Sequence, residues 1–257
     1  MRKRLWTIIF LICIGLSACT LNQEENFAPV GDISLIEPIP KKGVHQVLPG
    51  ETLYSIAWRY GLDYSDLAKR NRIAPPYAIH TGQMIYLNKN KPEVKITKIK
   101  KTKKETSKPI TAPPSPIQVK VPTPEQSIAT TEPTRAVSAW QWPAKGPVIG
   151  KFSSLNKGIN IGGHLGDPVY ATAAGKVVYS GHGLRGYGNL IIIKHNRTFL
   201  TAYAHNSQIL VKNGAWVKSG QQVAEMGNTD SRRTMLHFEI RRHGQPVNPL
   251  IYLNQKI

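Results

Sequence analysis

The 257-residue chain is short of several things at once. It has two cysteines, Cys13 and Cys19, and only 15 acidic residues against 34 Lys and Arg, for a formal charge of +19. It also lacks an apolar run reaching the roughly 20 residues that a membrane-crossing helix needs. These scarcities exclude a disulfide-stapled scaffold, an intrinsically acidic enzyme and a membrane channel. The chain as a whole is not disordered, since 40% of it is hydrophobic, and its length accommodates one large domain or two small ones. Residues 89–138 have almost no aromatic or periodic apolar content, holding ten Lys, one Arg and eight Pro. Such a composition buries too little surface to offset chain entropy, so this stretch reads as an extended basic spacer, disordered and partly polyproline.

What the chain does have begins with an address. Arg2, Lys3 and Arg4 precede an apolar run from Leu5 to Gly15, closed by Leu16-Ser17-Ala18-Cys19. The run is the length of a signal peptide, 1–18, and its ending resembles a bacterial lipobox, which would make Cys19 the lipidated first residue of the mature protein. Cys13 would leave with the signal, and no internal disulfide remains possible. Acyl chains on Cys19 anchor the protein to a membrane, each buried methylene contributing about 0.8 kcal/mol. Thr20, rather than Asp, after the cysteine implies the outer membrane by resemblance to lipoprotein sorting rules. Export also argues against nucleic acid as the partner of so basic a chain. Residues 19–43 are polar with scattered prolines and read as a flexible tether.

Residues 44–88 read as a compact β-α-α-β unit. Val44, Gln46 and Val47 suggest a strand, and Pro49-Gly50 a turn. Thr52 is placed to cap a helix from Leu53 to Tyr60 with Leu53, Ile56, Ala57 and Tyr60 on one face. Gly61 ends that helix, Asp63 or Ser65 starts a second, and Met84 to Leu87 closes the unit as a strand. His45 and His80 are expected at the surface. The run from Val47 to Ala57, with Asn71-Arg72-Ile73 and Gly82 to Leu87, resembles the LysM module, which binds N-acetylglucosamine-containing glycans such as peptidoglycan. The resemblance places the glycan groove between Gly50-Glu51-Thr52-Leu53 and the loop from Ile73 to Ile79. For the individual side chains, a role only in turns and caps is an equal alternative.

From Trp140 onward short β segments alternate with Gly and Asn turns, and no stretch has a helical period. Residues 139–257 therefore read as an antiparallel all-β domain. Its landmarks include Lys157-Gly158-Ile159-Asn160-Ile161, Asp167-Pro168-Val169-Tyr170-Ala171, Tyr203-Ala204-His205 and Leu236-His237-Phe238-Glu239-Ile240. Together they resemble the LytM, or M23, family of zinc endopeptidases. In active members a His and an Asp four residues apart, and the second His of a His-x-His motif, bind zinc. The first His of that motif and the His of Tyr-Ala-His assist catalysis. Here those positions read Asn156, Asn160, His237, Met235 and His205, so two ligands are amides and one catalytic imidazole is a thioether. An amide lacks both the charge of a carboxylate and the basicity of imidazole, which predicts no resident metal, no cofactor and no peptidase activity.

His164 and Asp167, three apart, lie in a turn and are read as a decoy, and His182, His195 and His243 as solvated. The resemblance implies a non-enzymatic regulator: degenerate LytM domains activate periplasmic cell-wall amidases during daughter-cell separation. The groove expected to meet such a partner comprises Asn156, Asn160, Tyr203, His205, Met235 and His237, with Arg185 and Tyr187 as weaker candidates. An active zinc endopeptidase and a passive wall-binding lipoprotein are the alternatives.

Overall fold

The computed structural model describes residues 36–88, 137 and 139–253. The signal segment, Cys19, Thr20 and nearly all of the basic spacer lie outside the described residues.

The N-terminal module is built on two short strands, β1 (Val44–Gln46) and β2 (Met84–Tyr86), paired antiparallel around helices α1 (Leu53–Arg59) and α2 (Tyr64–Asn71). Thr52 caps α1 as its sequence position predicts: its hydroxyl accepts from the Ser55 amide, and the Ser55 hydroxyl oxygen accepts from the Thr52 amide. Asp63 caps α2, accepting from the amides of Ser65 and Asp66. Asn71 then ties α2 to β2, donating to the Leu67 and Tyr86 carbonyls and accepting from the Tyr86 amide at 2.7 Å. Leu53, Ile56, Leu67, Ile85 and Leu87 are fully buried at the centre.

The β-domain is dominated by one antiparallel sheet. Its central strands are β6 (Gly175–Gly181), β7 (Asn189–Lys194), β8 (Phe199–Asn206) and β12 (Met235–Arg242), with β4 (Ile159–Gly162) beside β12. Strand β3 (Val148–Gly150) extends that edge and β10 (Trp216–Val217) pairs with β6, while β13 (Gln245–Val247) pairs with β12. A smaller sheet of β5 (Pro168–Tyr170), β9 (Gln208–Ile209) and β11 (Gln222–Glu225) completes the domain.

The large sheet uses its two faces differently. Successive side chains of a strand point to opposite sides. Ile191, Ile193, Tyr203, Leu236, Phe238 and Ile240 enter one core together with Val169, Val223 and Ala224 of the small sheet. Val178, Leu190, Ile192, Leu200, Ala202 and Ala204 form a second apolar surface, and this packs in one continuous cluster with the core of the N-terminal module. The module therefore lies on the large sheet although some fifty residues separate the two in sequence. Polar contacts fix it there. The Thr52 hydroxyl donates to the Val178 carbonyl at 3.0 Å, Gln245 to the Gly61 carbonyl at 2.8 Å, and Arg59 to the Gly183 carbonyl at 3.2 Å. At Gly244 the chain runs at φ +77°, and a Cβ would lie 2.3 Å from the Leu62 carbonyl oxygen, so only glycine allows this approach.

Two expectations about histidines are corrected by this packing. His195 is 3% exposed, held by the Ala174 carbonyl and the Thr201 hydroxyl rather than solvated. His45 is 9% exposed, between the Tyr60 hydroxyl and the Glu51 carboxylate. Both follow strands by one or two residues or lie within one, and in each case the strand points the ring inward.

Candidate functional site

Strand β12 organises the site. While Leu236, Phe238 and Ile240 enter the core between the sheets, His237, Glu239 and Arg241 point to the opposite face, and all three are buried. His237 lies opposite Asn160 of β4 and Ala204 of β8 in register. Its Nδ1 consequently sits 2.7 Å from the Asn160 side-chain oxygen. Its other nitrogen, Nε2, is 3.2 Å from the Glu239 carboxylate. His205, next along β8 after Ala204, has a positive φ of 64°. Its Nδ1–H donates to the Thr229 carbonyl at 2.8 Å, and its ring centre is 6.1 Å from that of His237. Met235 is 9% exposed, two residues before His237 and on the same face. Burial, with the neighbouring His237 adding to it, lowers the His205 imidazole to about 4.

Behind His237 lies a buried charged relay. Tyr187 donates its hydroxyl to Glu239 at 2.7 Å, and Arg241 Nε donates to the same carboxylate at 2.9 Å. Burial pushes the Glu239 carboxyl up. The Arg241 charge opposes this, as does the hydrogen bond from His237, and together they hold it at about 2. The Tyr187 hydroxyl is raised well above its ordinary value, first by burial and then by the Glu239 charge. Arg241 also reaches the N-terminal module: its guanidinium stacks 3.6 Å from the Trp58 ring centre and donates to the Trp58 carbonyl at 2.7 Å. An unbroken line of contacts thus runs from helix α1 through Arg241, Glu239 and His237 to Asn160.

The expected groove residues divide. Asn160, His205 and His237 are brought together, with Met235 beside them on the same strand face. Asn156 precedes β4 in a loop, half-buried, and its amide donates to the Lys151 carbonyl at 3.0 Å. Tyr203 is a correction: it is fully buried on the opposite face, its hydroxyl bonded to Thr172 and Thr201. In a regular strand Tyr203 and His205 would share a face; the positive φ at His205 breaks the alternation and turns its ring to the side of His237 instead. Tyr187 is buried behind the site and Arg185 is exposed. His164 is exposed in the turn before β5, its backbone amide donating to Asp167.

The residues expected to bind glycan divide in the same way. Glu51, Thr52 and Ile79 line a cleft of about 330 Å³. Leu53 is instead fully buried in the module core, since it is the first inward position of α1. Ile73 packs against that core, and Gly50 turns the chain at φ +80° with open space around it. The Glu51 side chain, although it borders the cleft, is only 4% exposed and is occupied by His45 and Arg59. Sequence reasoning missed Glu239 and Arg241 as a unit. The signal was present, because His237, Glu239 and Arg241 recur at intervals of two between the apolar Leu236, Phe238 and Ile240.

The comparisons with known proteins agree with this architecture. Residues 45–88 match the LysM domain model, and residues 154–249 match that of peptidase family M23. The chain is 43% identical to the lipoprotein NlpD/LppB homolog of Pseudomonas aeruginosa over 98% of its own length and 96% of that protein's. It is 44% identical to the uncharacterized lipoprotein YgeR of Escherichia coli, covering 98% of this chain and 94% of YgeR. It is 38% identical to the murein hydrolase activator NlpD of Escherichia coli, covering 82% of this chain and 68% of NlpD.

Proposed function

Because the chain belongs to the NlpD-type murein hydrolase activator lipoproteins, with LysM and M23 domains, we propose that it binds peptidoglycan and, without catalysis of its own, activates a periplasmic N-acetylmuramoyl-L-alanine amidase during septal wall splitting. In this reading Cys19 carries lipid and holds the protein at the outer membrane, facing the periplasm.

The observation that carries the non-catalytic part is the donor set at the family's zinc positions. A catalytic zinc takes three strong protein ligands and keeps one position open for water. Asn156 donates its amide to a backbone carbonyl, and the Asn160 side-chain oxygen is taken up by His237 Nδ1. The remaining His237 is engaged at both nitrogens. Two neutral amides and one committed imidazole do not fit Zn²⁺, and Met235 supplies no proton relay. What the site retains is a polar cluster of His205, His237 and Asn160. Such a cluster suits a protein segment. If it binds the open form of an amidase more tightly than the closed form, it raises the active population by the ratio of those affinities.

The test is release of dye from labelled sacculi by the lipid-free mature chain with added zinc, alone and with a periplasmic amidase. Release only in the mixture is the expected result. Release by the chain alone would identify a zinc endopeptidase, and no release in either case, across the amidases of the source cell, would leave a wall-binding lipoprotein without activator function.

A further inference from the structure

The cleft beside Thr52 is not formed by the N-terminal module alone. One wall carries Thr52, Tyr54, Tyr77 and Ile79, and the other is supplied by the β-domain through Lys176 of β6 and Asn213 of the loop before β10. The Thr52–Val178 hydrogen bond clips the two walls together at the cleft's edge. On the module side the surface is aromatic and apolar: Tyr54 and Tyr77 stand 6.0 Å apart, edge to face, with Tyr64 packed against both. On the domain side it is polar. Lys176 is half-buried and paired in register with Trp216, which is 56% exposed, and its ammonium lies 6.0 Å from that indole ring.

The charge balance of the cleft is one-sided. Glu51 and Lys176 are the two charged residues that line it, and behind the aromatic wall the buried Lys194 ammonium lies 5.7 Å from both the Tyr54 and the Tyr77 ring centres. Glu51 turns inward, its carboxylate taken by His45, Arg59 and the Leu48 amide. Lys176 makes no ion pair among the described residues, and its ammonium lies beside the Trp216 ring at the cleft's edge. Aromatic rings offer flat apolar platforms, an amide offers both donor and acceptor, and an ammonium offers a charge-assisted contact to an anion. A ligand matching all three has flat apolar ring faces, amide groups and a carboxylate.

We propose that this cleft is a composite saccharide site in which the β-domain wall, through Lys176 and Asn213, selects N-acetylated glycan strands that carry carboxylates over neutral ones. The proposal rests on the reading that the protein binds wall glycan and adds that the second domain sets the specificity. Because both walls must be in place, strong binding also requires the module to be docked on the sheet.

The experiment titrates the lipid-free mature chain, by calorimetry at low salt, with chitohexaose and with peptide-free peptidoglycan strands whose lactyl groups bear carboxylates. The acidic strand is expected to bind about tenfold more tightly, the scale of one charge-assisted hydrogen bond. Lys176→Gln should bring the two affinities within about twofold while leaving the melting temperature unchanged. Lys212→Gln removes the same charge from an exposed neighbour outside the cleft and should keep the preference. Equal binding of both probes by the parent chain, or a preference that survives in Lys176→Gln, would overturn the composite site and leave wall binding intact. Failure of the parent to bind either probe would remove the wall-binding reading itself, and the composite site with it.

Discussion

Replacing Arg241 by Ala tests the buried relay most directly. Arg241 and Glu239 are both completely buried, and Arg241 is the only full positive charge in contact with that carboxylate among the described residues. Removing one partner of a buried pair costs about 3–5 kcal/mol, because the other charge is left uncompensated. Two features set where in that range this site falls. Tyr187 and His237 still hydrogen-bond to Glu239, which pulls toward the lower end. The substitution also removes the stack on Trp58 and the bond to its carbonyl, and a desolvated cation–π contact is worth about 2 kcal/mol, which pulls upward. The expectation is therefore about 4 kcal/mol, or a melting temperature lower by about 10 °C for a unit of this size. The assay is thermal unfolding at pH 7.5 of the parent, Arg241→Ala, Glu239→Gln and the double variant. Because the cost comes from an orphaned charge, the double variant should be more stable than Arg241→Ala alone. A drop of less than about 1 kcal/mol for Arg241→Ala, or a double variant whose loss is the sum of the singles, would refute the account of a compensated buried pair.

Two further outcomes follow from the same packing. His195 is buried with its imidazole lowered to about 4 by desolvation, so the folded protein resists a proton that the unfolded chain accepts near pH 6.5. The stability it permits is complete above pH 7, and its share falls by about 3 kcal/mol as pH drops from 6.5 to 4; His205, lowered likewise, adds its own share, so denaturant unfolding across that window should show a slope that His195→Gln reduces by roughly half. Gly244→Ala places a Cβ against the Leu62 carbonyl at a positive φ, and should cost about 2 kcal/mol or more, with the strand pair of β12 and β13 showing faster amide exchange.

The local pattern was legible in the sequence wherever a short-range rule governed it. Thr52 and Asp63 cap helices because a side-chain oxygen three residues before an orphan amide has one low-energy use. Short β segments set between Gly and Asn turns, with no helical period, identified an antiparallel sheet. The misplacements share a different origin. Tyr203 was grouped with His205 by motif, and even spacing on a regular strand would put both on one face; the positive φ at His205 breaks that alternation. Leu53 was grouped with the glycan loop by proximity in sequence, although it is the first inward residue of α1. His195 reads as a turn residue until the strand after it closes over the ring.

What no single motif of the sequence conveyed was the docking of two modules separated by the spacer. Trp58, Arg241, Lys194 and Gly244 each look ordinary alone. Trp58 fits a helix face, Arg241 a strand end, Lys194 a solvated cation and Gly244 a hairpin turn. In the folded chain the Lys194 ammonium sits 4.9 Å from the Tyr64 ring centre, Arg241 covers Trp58, and Gly244 meets Leu62. These pairings are long-range, so no window of sequence contains both members. They also account for an oddity of the large sheet, whose outward face carries Leu190, Ile192, Ala202 and Ala204 where an exposed antiparallel sheet would alternate to polar residues. A strand apolar on both faces implies two covering layers. The small sheet supplies one, and the only other packed apolar core among the described residues is that of the N-terminal module. That count of faces against layers was the argument available in advance for placing the module on the sheet, and with it for expecting sites that neither domain builds alone.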